Sequence, residues 1–131
     1  MRILVLTNHF ADFCGSEIVA LEVAQWFREQ GDNVTLGANY IAAPIQSWAD
    51  GVALCDAPEE LAFSEYDLIW CQHDMLGQLP LAAFERAARG RAPHVAMISL
   101  SPFEPYEHLD ARLARALSAE VMVNSVETRR E

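Results

Sequence analysis

The chain has 131 residues, a formal net charge of −10 and 52% hydrophobic residues. That length makes one domain and excludes two; the apolar share supplies a core. The acidic balance speaks against a nucleic-acid partner, whose phosphates need a basic face. All nine basic residues are Arg. The longest apolar runs are a few residues, too short for a transmembrane helix. Met1-Arg2-Ile3-Leu4-Val5-Leu6 is followed by Asn8 and His9 rather than a small-residue cleavage site, so it reads as a strand and not as a secretory signal. The expected location is cytoplasmic, with peripheral attachment to a membrane surface left open. Cys14, Cys55 and Cys71 are odd in number and lack CxxC spacing, which fits free thiols in a reducing compartment.

In chain order, continuous apolar runs predict strands at Ile3–Leu6, Val34–Leu36, Val52–Leu54, Leu68–Cys71, Val95–Ser99 and Val121–Asn124. Runs of this kind, without in/out alternation, mark parallel strands covered on both faces. Between them fall helical patterns. The clearest is predicted from about Ser16 to Gln30, with Val19, Val23 and Phe27, and Ala20 and Ala24 beside them, making one apolar stripe. Ser16 is its expected N-cap and Gly31 its expected stop. Tyr40 to Gly51 predicts no more than a short helical turn. Further helices are predicted over roughly Leu81–Arg89, with Pro80 in its first turn, and about Leu109–Leu117. Residues 125–131 read as the first turns of a helix, so the expectation is a fragment, or a domain cut short. The predicted fold is α/β: a Rossmann-like, open, mostly parallel sheet of about six strands with helices on both faces, a single domain over residues 1–131. Right-handed crossovers give the strand order 3-2-1-4-5-6.

Ligands of such sheets bind at the carboxyl ends of the strands, where the strand order reverses. Here that is between the first and fourth strands, and three loops reach it. The first, Thr7–Gly15, enters the first helix. Gly15 allows a ligand close to the backbone, and the helix N-terminus offers N–H groups and partial positive charge for a phosphate. Equally, Gly15 and Ser16 simply turn the chain and cap the helix. His9 is expected to face the same cleft. The second loop, Gln72–Leu76, carries His73 and Asp74, suited to orienting a sugar hydroxyl or moving a proton, or else to closing the strand end. The third, Leu100–Tyr106, offers Ser101, Glu104 and Tyr106 to a ligand, unless Phe103 and Tyr106 pack over the sheet edge. GxGxxG is absent and a P-loop needs the missing lysine, which excludes the usual NAD and P-loop sites. No Gly-x-Ser-x-Gly elbow or zinc-like spacing is present. No metal or cofactor is expected.

The segment MRILVLTNHFADFCGSEIVALEVAQWFREQGDNVTL resembles the opening of the family 4 retaining glycosyltransferases. There a strand leads into a loop ending in a glycine pair, a small residue and Glu, and then a long helix. Gly15-Ser16-Glu17 falls on the end of that loop and Gly31-Asp32-Asn33-Val34 on the turn after the helix. YDLIWCQHD resembles the family's strand ending in histidine, with His73 on that histidine. AEVMVNSVETRRE resembles its last strand and helix start, with Ser125 on the family's serine. Two positions depart from the pattern: Cys14 stands where the loop's first glycine is found, and Ile98-Ser99-Leu100-Ser101 stands where many members carry a histidine. The resemblance implies the N-terminal, acceptor-side half of a two-domain GT-B enzyme, with the donor-binding domain absent from this chain. It implies transfer of a sugar from a nucleotide-diphosphate sugar to an acceptor, with no activity in the isolated half. Gly15, Ser16 and Glu17 would then approach the donor diphosphate, and His73, Asp74, His9 and Ser101 the acceptor. A non-catalytic Rossmann-like binding module, able to pair as a homodimer through an apolar face, and another nucleotide-sugar enzyme such as an epimerase are the alternatives.

Overall fold

A computed structural model describes residues 1–12, 15–62 and 65–72, together with the strand backbones of residues 94–99 and 120–123. It is a mixed α/β fold built on a parallel sheet. The strands are β1 (Arg2–Phe10), β2 (Asn33–Ile41), β3 (Ala53–Cys55), β4 (Leu68–Gln72), β5 (His94–Ser99) and β6 (Glu120–Val123). They lie in the order β3-β2-β1-β4-β5-β6, and every pairing is parallel. Helix α1 (Gly15–Glu29) joins β1 to β2, and the short α2 (Ala43–Gln46) follows β2. The helices predicted over about 81–89, over about 109–117 and at 125–131 lie outside the described residues.

Continuous apolar runs become strands buried on both faces. Ile3, Leu4, Val5 and Leu6 are all fully buried, although consecutive side chains point to opposite faces. Burying each such side chain contributes roughly 1.5–3 kcal/mol. Ile3, Val5, Val34, Leu36 and Ala38 share one core cluster with Ala20, Leu21 and Ala24 of α1. Leu4 and Leu6 face the other side.

The strands run further at their carboxyl ends than the apolar runs predict. Thr7, Asn8 and His9 belong to β1, and Gly37 through Ile41 to β2. The registers Thr7↔Ala38, His9↔Tyr40 and Phe10↔Ile41 supply the backbone hydrogen bonds. The Asn39 Nδ2 group also donates to Asn8 Oδ1 at 3.0 Å. Polar residues thus extend these strands because a neighbouring backbone satisfies their main-chain groups.

The predicted stripe of α1 is rotated. Its buried residues are Glu17, Ala20, Leu21 and Ala24, at the i, i+3, i+4, i+7 spacing of one face. Val23 and Phe27 pack partly buried at the margin of the core. Small alanines at the centre let the helix backbone approach the sheet, which moves the bulkier side chains to the flank.

The helix stops as expected at Gly31. Its φ of +89° is left-handed. The Gly31 N–H donates to the Arg28 carbonyl at 2.9 Å and the Asp32 N–H to the Phe27 carbonyl at 3.1 Å. These two bonds form a Schellman turn. Asp32 then accepts a 2.7 Å bond from the Met1 ammonium. That bond raises the amine above its ordinary pKa; desolvation, next in size, opposes it, and the negative charges of Asp32 and Asp67 add to the rise. A raised pKa stabilises the fold below the unfolded value of about 8, and the stabilisation is lost as pH rises through the folded value. Asp32→Asn is therefore expected to return the amine toward its ordinary pKa, read by NMR titration. The stability gap between the two proteins should close in alkali. A gap that widens with rising pH would contradict the assignment.

Candidate functional site

In this strand order β1 and β4 are neighbours, while the chain runs from β1 to β2 on one side and reaches β4 only after β3. Their carboxyl ends therefore flank the crevice where parallel α/β sheets take ligands. Among the described residues, three pieces of chain meet there: the end of β1, the first turn of α1 and the end of β4.

Gly15 opens α1 and is exposed. Its φ is not left-handed, and a Cβ built on it would meet no atom of the described residues within 4 Å. Among the described residues, neither packing nor backbone geometry asks for glycine at this position.

Ser16 is not the N-cap that its sequence position suggests. The helix begins one residue earlier, so Ser16 is already helical, whereas a cap stands before the first helical residue with extended geometry. Its hydroxyl donates instead to Glu17 Oε2 at 2.7 Å. Glu17 is only 8% exposed. A carboxylate in the first turn is favourable beside the positive end of the helix dipole, so this end of α1 already has an anion next to it.

His9 lies on β1 rather than in a loop. It is exposed and stands opposite Tyr40 in the parallel register, because β1 continues three residues past Thr7. His73, Asp74 and Ser101, expected on the acceptor side, lie outside the described residues, as do Glu104 and Tyr106.

The residue that joins the pieces is Gln72, which sequence reasoning placed only at the start of a loop. It is the last residue of β4 and fully buried. Its Nε2 group donates to the Ser16 carbonyl at 2.8 Å, and its Oε1 accepts from the Trp70 indole N–H at 3.2 Å. The available signal was a polar residue closing the apolar run Leu68-Ile69-Trp70-Cys71. A polar side chain buried there must find partners. Thr7 is also buried, with 1% exposure, at the adjoining end of β1.

Further along α1, a hollow of about 350 Å³ is lined by Glu22, Val23, Trp26, Phe27 and Trp70. Trp26 and Phe27 meet edge to face with centroids 5.0 Å apart, and Trp26 is 55% exposed. Its lining is apolar apart from Glu22, in contrast with the polar first turn of the helix. Among the described residues no group of three or more His, Cys, Asp or Glu side chains is disposed to hold a metal. No helix among them is long and apolar enough to cross a membrane.

No protein-family model matches this sequence, and no curated protein matches it significantly.

Proposed function

We propose that this chain is the Rossmann-like, acceptor-side domain of a retaining glycosyltransferase with a GT-B fold, drawing its sugar from a nucleotide-diphosphate donor. On this reading the sheet has six strands with helices on both faces, and a second Rossmann-like domain closes the crevice from the donor side. The observation that carries the reading is the strand order: it sets the Gly15-Ser16-Glu17 turn beside the end of β4 at the switch point. The motif resemblance of these residues supplies the chemistry.

Gly15 gives the donor diphosphate an unobstructed approach to the N–H groups of the first turn of α1. Ser16 and Glu17 shape that turn, while His73, Asp74, His9 and Ser101 serve the acceptor. Glu17 limits what the turn can do alone, since a diphosphate arriving there meets a buried carboxylate. Like charges at such a distance repel, so cations from the second domain must outweigh the repulsion. Stabilisation of the departing diphosphate by N–H groups and those cations is the electrostatic part of catalysis. The first test is the coding sequence beyond residue 131. A second Rossmann-like half carrying two glutamates with seven residues between them supports the proposal, and its absence contradicts it.

Gly15→Ala separates fold from function. With no described residue within 4 Å of the Cβ position, alanine should leave stability unchanged or raise it by up to about 1 kcal/mol. In the two-domain protein the same methyl should obstruct the diphosphate and lower kcat/KM for the donor. Thermal unfolding and transfer kinetics check the two halves. Unchanged kinetics would remove Gly15 from the donor site.

The apolar hollow beside Trp26 favours a second reading, a non-catalytic module that binds through this face. A stable dimer in light scattering, lost in Trp26→Ser, would support it; a monomer would count against self-association.

A further inference from the structure

We infer that Gln72 is a latch that makes the first turn of α1 and the end of β4 a single mechanical unit. This goes beyond the proposed activity and does not depend on it. Three observations carry it. Gln72 is fully buried. It bridges residues 56 apart in the chain, through the 2.8 Å bond to the Ser16 carbonyl. Its other amide atom is held by Trp70 at 3.2 Å.

Donor and acceptor chemistry dictates which way the amide faces. An indole N–H can only donate and a backbone carbonyl can only accept. Oε1 must therefore turn toward Trp70 and the NH2 group toward Ser16; the reversed amide would set donor against donor and acceptor against acceptor. Trp70 thereby orients the latch, and Gln72 closes it. In an α-helix the carbonyl of residue 16 also accepts the N–H of residue 20. The latch therefore acts on the carbonyl that anchors the opening turn. At its other end α1 is held independently, by the Schellman turn at Gly31. Releasing Gln72 should loosen one end of the helix and leave the other fixed. Trp70 also lines the hollow beside Trp26, so a group bound there touches the residue that orients the latch.

Amide hydrogen exchange tests this. Gln72→Met keeps the volume and removes both bonds. It should speed exchange at Val19, Ala20 and Leu21 by about tenfold, the scale of one buried hydrogen bond, and leave Trp26 to Glu29 unchanged. Trp70→Phe removes only the orienting indole N–H and should give a smaller acceleration of the same three amides. Equal acceleration along all of α1 would mean a general loss of stability, and no acceleration would mean no latch; either overturns the inference. If Gln72→Met does not fold, the wild-type chain in mild denaturant serves. The amides of Val19 to Leu21 should open together with that of Cys71, at one free energy and one denaturant slope. Separate openings overturn it.

Discussion

Phe10→Ala is expected to lower the stability of the fold by about 3–5 kcal/mol, the range for truncating a buried aromatic side chain. Phe10 is fully buried, although it lies at the end of a polar stretch that reads as loop. It closes β1 in register with Ile41, and its carbonyl accepts the Ala42 N–H at 3.0 Å. Its ring belongs to the cluster that contains Ile45, Ala49 and Val52. Removing it opens a cavity where β1, β2 and α2 meet, and α2 is a single turn with little means of collapsing into the space. Chemical denaturation checks the figure. A loss below about 1 kcal/mol, the size expected of an ordinary surface substitution rather than of a filled cavity, would mean that the ring is not part of the core.

Gly37→Ala should destabilise by about 1–3 kcal/mol, through overpacking rather than backbone strain. Gly37 sits in β2 opposite Leu6 of β1. A Cβ there would lie 2.9 Å from Leu6 Cδ2 and 3.5 Å from Leu61 Cδ1 and Pro58 Cβ. Leu6 is fully buried and cannot swing into solvent to make room. The contrast with Gly15 is direct: the same added methyl meets a filled core at one glycine and no described residue within 4 Å at the other. A Gly37→Ala protein as stable as wild type in denaturant would show that the face of β2 against Leu6 is loosely packed.

The strands were legible because a run such as Ile3–Leu6, buried on both faces, leaves a signal in hydrophobicity alone. Their carboxyl ends were not. Thr7 to His9 and Gly37 to Tyr40 are held by pairing with each other, and partnership between residues about 31 positions apart has no local signature. The first helix was legible in extent and in its stop at Gly31, since left-handed geometry favours glycine. Its buried face was legible at Ala20 and Ala24, but the stripe was centred on the larger Val19, Val23 and Phe27, although close packing against a sheet favours the small side chains. The N-cap at Ser16 was misread for a related reason: serine is a good cap, but its hydroxyl had a competing partner in Glu17.

At the site, sequence reasoning found the Gly15-Ser16-Glu17 turn and the end of the fourth strand as separate pieces. It missed the residue that joins them. Gln72 matters through a bond to a backbone carbonyl, and a carbonyl is invisible in the residue alphabet. His73 and Asp74 drew notice through their position past the fourth strand and their chemistry, criteria that overlook such ties.

We propose above that this chain forms one wall of a glycosyl-transfer site. It is tested most directly by incubating labelled nucleotide-diphosphate sugars and candidate acceptors with residues 1–131 alone and with a protein that adds a second Rossmann-like half. No turnover is expected from residues 1–131, and transfer with retained anomeric configuration from the two-domain protein. Transfer by the isolated chain, or none by the two-domain protein across the donor series, would contradict it.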